Sequence, residues 1–138
     1  WERKVQAYRS DCLPDFLNFF LMLGPNSPVG NYSVIAMSEV QGSYVLKLID
    51  QWRKGRLQAV EATEDAKLRF NNYMKQGMGT TAWVGGCQSW YLDADGEPAL
   101  WPYSWNQWVK EMAEPDLADF HRGKPAEILP LKPAEKAA

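Results

Sequence analysis

An α/β fold, reading as α+β over a chain of this length, is the class the sequence predicts, and three consecutive features carry that expectation. The run Phe19-Phe20-Leu21-Met22-Leu23 is a short apolar block bounded by turn formers, the pattern of a strand buried on both faces. Behind it, Gly24-Pro25-Asn26-Ser27-Pro28-Val29-Gly30 is dense in residues that break regular structure. A long helical pattern follows. Val34, Met37, Val40, Tyr44, Leu48 and Trp52 keep helical spacing, and Glu39, Ser43, Lys47, Asp50 and Lys54 form a narrower polar stripe. That balance predicts a mostly buried helix with one wet edge, capped by Asn31 or Ser33.

A strand, a Gly/Pro loop and a helix N-terminus make a recurrent ligand site. In open α/β sheets, ligands sit beyond the carboxyl ends of the strands. Free N–H groups at the helix start favour an electron-rich or anionic group there. The bland alternative is a rigid strand-to-helix connection, because this loop is not a full phosphate motif.

The remaining elements follow from local signals. Trp1 to Arg9 reads as a short helix or an extended approach, and residues 11–15 as a loop. Gly55 stands where a helix C-terminal glycine belongs, with Arg53 and Lys54 in the last turn. Residues 57–62 read as a strand or an extended link. Thr63 is an N-cap followed by Glu64 and Asp65, and Ala66, Phe70, Tyr73 and Met74 make one face of a second helix ending near Gly77 or Gly79. Residues 80–83, 89–92 and 99–102 are extended pieces around a tight turn at Asp93-Ala94-Asp95-Gly96, together an irregular β lobe. Ser104 starts a third helix running to Met112. The Pro-, Lys-, Glu- and Ala-rich stretch 121–138 is expected to be disordered.

Composition bounds the function classes. The chain has 138 residues with a formal net charge of -2, so no basic stripe points to nucleic acid. No apolar run approaches the ~18 residues of a membrane span, and no signal-peptide pattern is present. Cys12 and Cys87 read as reduced thiols, with a cytoplasmic setting as the default. With 7 Trp, 6 Tyr and 5 Phe in so short a chain, and no initiator Met, the expectation is a piece of a larger protein with some aromatic surface facing a missing partner.

Candidate chemistry is sparse. Asp93-x-Asp95-Gly96 lacks the further ligands of a calcium loop and reads as a turn. His121 is the only histidine, which removes most metal sites and a Ser-His-Asp triad, so no metal ligand or catalytic residue is assigned. Cys87 after two glycines reads as a small buried filler rather than a reactive thiol. Trp90, Tyr91 and Trp101 are the candidates for an apolar substrate pocket, against the plainer reading of core packing.

Two strings carry a resemblance. The order Trp1, Tyr8-Arg9, Phe16-Leu17-Asn18-Phe19-Phe20, Gly24-Pro25-Asn26-Ser27-Pro28 and Gly30-Asn31, then a helix with Glu39 and Gln41, resembles the C-terminal part of flavin-containing monooxygenases of the Baeyer–Villiger type. Trp83-Val84-Gly85-Gly86-Cys87-Gln88-Ser89-Trp90-Tyr91-Leu92-Asp93 and Leu100-Trp101-Pro102 resemble its hydroxyacetophenone monooxygenase branch. The resemblance covers residues 1–120. Leu17 stands where the family has Pro, and Val29 where it has a small residue.

The resemblance implies a parent enzyme that uses FAD, NADPH and O2. Through a C4a-peroxyflavin it would insert one oxygen into a ketone or soft heteroatom of a small organic substrate. It also implies that Gly24, Pro25, Asn26, Ser27, Asn31 and Ser33 neighbour the flavin. Residues 1–56 would then be the last strand–loop–helix of a Rossmann-like FAD domain, and residues 57–120 a C-terminal lobe on the flavin and substrate side. The Gly-rich fingerprint and the NADPH-binding half would lie in missing N-terminal domains of the same chain. This fragment alone is therefore expected to be inactive. The competing class is a non-enzymatic, aromatic-rich interaction module. A bulky residue at Asn26 or Ser27 is expected to harm flavin binding or coupling more than the fold.

Overall fold

The computed structural model describes residues 6–28, 32–85, 90–93 and 95–122. Its framework is three helices whose ends follow from local hydrogen bonding. Helix α1 spans Val34–Arg53, and its cap is Ser33, whose Oγ accepts the Ala36 N–H at 3.4 Å. The other cap candidate, Asn31, lies outside the described residues. At the far end Gly55 takes φ +69, a conformation that suits glycine, and donates its N–H to the Trp52 carbonyl at 2.9 Å. Helix α2 spans Glu64–Met78 behind Thr63, whose Oγ1 accepts the Ala66 N–H at 3.1 Å. Helix α3 spans Trp105–Glu111 behind Ser104, whose Oγ accepts the Gln107 N–H at 3.3 Å.

One hydrophobic core joins these pieces. Tyr8, Cys12, Tyr44, Leu48, Leu57, Phe70, Met74, Trp101, Trp108 and Phe120 all belong to it, so both halves of the chain contribute. Trp108 is fully buried and meets the Trp101 ring edge-on at 5.1 Å. Tyr8 meets Phe70 and Phe120 edge-on at 6.1 and 5.7 Å, arrangements that suit aromatic quadrupoles. The link at residues 57–62 is irregular, bending at 58–59 and ending in a bridge between Ala62 and Phe120. It pairs with the segment after the 3-10 turn Leu117–Asp119 through Thr63 N–H to Asp119 and His121 N–H to Glu61, at 2.8 and 2.9 Å.

Three expectations are corrected. The apolar run 19–23 forms no strand: its one pairing is an isolated bridge between Cys12 and Phe20. A strand needs a neighbour along its whole length, and here Asn18 (φ +55) and Leu23 (φ +57) leave the extended region at both ends. Phe19 and Met22 are exposed rather than buried. Among the described residues there are helices and isolated bridges but no sheet, so the α/β expectation is not confirmed in its details.

Helix α1 is not mostly buried. It inserts a single stripe, Met37, Gln41, Tyr44 and Leu48, and leaves Ile35 and Leu46 at 74% and 66% exposure. The third correction is at residues 80–83, expected to be extended: Ala82–Val84 is a 3-10 turn. The β lobe reduces to a hairpin with one bridge, Leu92 to Pro98. Its turn is as expected. Asp93 Oδ1 accepts the N–H groups of Asp95 and Glu97, both at 2.9 Å, and Gly96 sits at φ +76. The expected disordered tail, from residue 123 onward, and Cys87 lie outside the described residues.

Candidate functional site

The loop at residues 24–27 is locked from within the chain. Ser27 Oγ donates to the Gly24 carbonyl at 2.6 Å. The Asn26 N–H donates to the Ala99 carbonyl at 2.9 Å, and the Trp101 N–H donates to the Ser27 carbonyl at 3.2 Å. The side chain of Asn26 donates to Asn71 Oδ1 at 2.9 Å, and Asn71 donates in turn to the Ala7 and Lys67 carbonyls. Asn26 holds φ +64, which Asn tolerates better than most residues. Gly24 is required by contact: a Cβ there would lie 2.1 Å from the Ser10 carbonyl oxygen. Pro25, Asn26, Ser27 and Pro28 are all buried.

The six residues expected beside a flavin therefore do not present one surface. Asn26 and Ser27 turn into the chain, Gly24 is half-buried, Asn31 is outside the described residues and Ser33 is exposed. What faces outward is the mouth of α1. Tyr32, Ser33, Val34 and Ile35 are exposed there, and Tyr32 accepts the Trp105 N–H at 3.2 Å while its ring lies 5.3 Å from the Trp105 ring. The first-turn N–H groups of a helix have no partner within it; Ser33 takes those of Ala36 and Met37. Among the described residues no partner is recorded for those of Val34 and Ile35, at the positive end of the helix. A bulky residue at Asn26 or Ser27 would break buried hydrogen bonds, so such a variant tests the fold before it tests a ligand.

The three pocket candidates are also separated in kind. Trp90 is fully exposed at 101%, Tyr91 is half-buried and edge-on to Trp83 at 5.5 Å, and Trp101 is a core residue. None of them lines the open cleft of about 360 Å³ between α2 and the hairpin, which is walled by Asn26, Asn71, Asn72, Lys75, Glu97 and Pro98 among others.

One polar pair beneath the loop escaped the sequence reading. Gln41, fully buried, donates to Asp11 Oδ1 and accepts the Leu23 N–H at 2.9 Å. Burial pushes the Asp11 carboxyl up to about 8, against the opposing effects of the Gln41 hydrogen bond and the Arg9 guanidinium. Burial likewise raises the neighbouring Cys12 thiol and Tyr44 phenol. The signal was present: Gln41 interrupts the buried stripe of Met37, Tyr44 and Leu48, and a polar residue there needs buried partners. Among the described residues no cluster of His, Cys, Asp or Glu is fit to hold a metal ion.

No protein-family model matches the chain. A Baeyer–Villiger monooxygenase of Streptomyces coelicolor is 33% identical over 141 aligned residues that take in the whole chain. The chain belongs to the Baeyer–Villiger monooxygenases. A second Baeyer–Villiger monooxygenase, from Pseudomonas aeruginosa, is 32% identical across 76% of the chain, and an uncharacterized monooxygenase of Mycobacterium tuberculosis is 38% identical across 75%. The chain spans 27%, 21% and 21% of the lengths of these three relatives.

Solved monooxygenase neighbours share the fold at low identity. An oxidized steroid monooxygenase bound to NADP superposes with a TM-score of 0.74 at 19% identity, over 82% of this chain and 22% of that one. A closed cyclohexanone monooxygenase gives 0.69 at 20%, over the same shares. Within this Baeyer–Villiger chain, the mouth of α1 is exposed and the loop behind it is buried and hydrogen-bonded to residues 71, 99 and 101.

Proposed function

We propose that this chain is the C-terminal part of an FAD- and NADPH-dependent monooxygenase, and that the mouth of α1 walls its flavin. The carrying observation is the pairing of a loop locked from behind with an exposed helix start at Tyr32, Ser33, Val34 and Ile35. Those residues fit such a group. Open N–H groups and the positive helix end favour the electron-rich edge of a flavin ring, and the tyrosine and aliphatic side chains favour its apolar faces. FAD, when bound, supplies the transfer of electrons from NADPH to O2 and of one oxygen atom to a ketone or soft heteroatom of a small organic substrate. The chain's own residues orient the ring and keep water from it.

The pyrophosphate falls to residues upstream, because the sequence has no Gly-rich cradle. Residues 1–56 complete the FAD domain on this reading, and residues 57–120 cover its substrate side. A cytoplasmic setting goes with it, since NADPH is the reductant.

The test is the full-length parent, purified and measured for FAD content, NADPH consumed, peroxide released and product formed with ketone and sulfide substrates. Ser33→Trp places bulk at the mouth of α1 without entering the core. It is expected to lower flavin content or to raise the peroxide share of NADPH consumed beyond Ser33→Ala, which loses the same Oγ cap without the bulk and sets the melting temperature for comparison. A parent that carries no FAD, or a Ser33→Trp variant with normal flavin content and coupling, overturns this placement.

A further inference from the structure

We propose that Asp11 is a positioning residue for the bound flavin, acting through Gln41 as a clamp on the 24–27 loop and the mouth of α1. The inference rests on the flavin-site reading above and touches a part of the chain that meets no ligand itself.

Gln41 sits in a stripe otherwise made by Met37, Tyr44 and Leu48, and a buried amide is costly unless both ends are bonded. Both ends are bonded, each to a different segment. Nε2 donates to Asp11 Oδ1 in the turn at residues 8–12, and Oε1 accepts the N–H of Leu23 at the entrance to the loop at 2.9 Å. Asp11 grips the same entrance a second time, because its carbonyl accepts the Leu21 N–H at 2.8 Å. One amide and one residue's carboxyl and carbonyl thus join the turn, the loop and the helix.

The joint has no slack. Gly24 lies against the Ser10 carbonyl so closely that a Cβ would come within 2.1 Å of it. The turn itself is wound through left-handed conformations at Arg9 (φ +48) and Ser10 (φ +64) and closed by hydrogen bonds between Tyr8 and Cys12 at 2.8 and 3.0 Å. Arg9 ties its far side to α3 through an ion pair with Glu111 at 3.2 Å, with the guanidinium 5.3 Å from the Tyr44 ring centre. The loop is therefore held at a height set by α1 and α3 together. A shift there moves the helix start, where the proposed ring sits.

A polar pair kept only for packing could be replaced by an apolar pair at little cost to the fold. A clamp cannot, and the experiment separates the two. Asp11→Asn, Asp11→Ala and Gln41→Met are made in the full-length parent, with FAD bound. The rate of flavin release is followed by flavin fluorescence at fixed temperature, the peroxide share of NADPH consumed is measured, and protein melting is recorded alongside. Asp11→Asn keeps an Oδ1 acceptor for Gln41 and is expected to behave as wild type at pH 6. Gln41→Met keeps the volume, loses the clamp, and is expected to release flavin about tenfold faster or more and to leak more peroxide. Asp11→Ala should do the same where it folds.

If Gln41→Met melts lower yet releases flavin and couples as wild type does, the pair is structural and the clamp is refuted. The clamp is equally refuted if Asp11→Asn matches Gln41→Met. A wild-type parent that binds no flavin instead sinks the flavin-site reading itself, a result these variants do not mimic.

Discussion

Asp11 illustrates how a single residue carries an energetic signature of its surroundings. Its Oδ2 is buried without a hydrogen-bond partner among the described residues, and burial raises the carboxyl to about 8. An unfolded Asp titrates near ~3.9, so between these values the folded chain holds a proton that the unfolded chain has released. The sign follows: this contribution to stability is complete below about pH 4 and is lost as pH rises to about 8. Arg9 on the same turn, Tyr44 and Gln41 from α1, and Glu111 from α3 beyond Arg9 surround the site, and none removes the burial cost. The urea midpoint of the wild-type chain is expected to fall between pH 5 and 8 more steeply than that of Asp11→Asn, with a difference of at most about 1.4 kcal/mol per pH unit. Parallel profiles would mean that the carboxylate is already ionised when folded.

At the scale of an element, α1 shows a helix with two unlike sides. Its inner stripe is packed in the core, while Ile35, Gly42 and Leu46 share one outer face, where a Cβ at Gly42 would meet nothing within 4 Å. Phe16, Phe19 and Met22 add exposed apolar surface on the run before the loop. Where exposed apolar side chains adjoin one another they mark an interface more often than a solvent face. The double substitution Ile35→Asp and Leu46→Lys is therefore expected to reduce self-association of the 138-residue chain while changing its stability by about 0.5 kcal/mol or less. Light scattering and thermal melting check both halves. In the full-length parent the same pair should lower the yield of flavin-loaded protein. Equal yields would leave the outer face of α1 a solvent face.

For the molecule as a whole, the decisive quantity is share. A chain spanning 21% to 27% of its relatives has one core and an open helix mouth, but no Gly-rich cradle for a pyrophosphate. The isolated chain is therefore expected to show no stoichiometric FAD binding, by flavin fluorescence quenching or calorimetry, at concentrations where the parent is saturated. Tight binding by residues 1–138 alone would overturn the division of labour proposed here.

The sequence by itself determined what is decided within a few residues. Ser33, Thr63 and Ser104 cap the three helices as their side chains predict, Gly55 closes α1, and the turn at Asp93 to Gly96 forms around one carboxylate, because each contact spans two to four positions. The family was legible too, since two separated strings kept their order. What depends on distant partners was not legible. The run 19–23 has the composition of a strand, yet its neighbours in space supply one bridge and no ladder. Helical spacing marked the apolar positions of α1 but could not say which of them the rest of the chain covers. Asn26 and Ser27 read as a ligand-facing loop until Asn71, Ala99 and Trp101, some 45 to 75 positions away, took up their hydrogen bonds. Asp11 read as part of a turn or loop, and only the packing of α1 made it a buried acid. Burial is a property of the assembled core, and no local pattern encodes it.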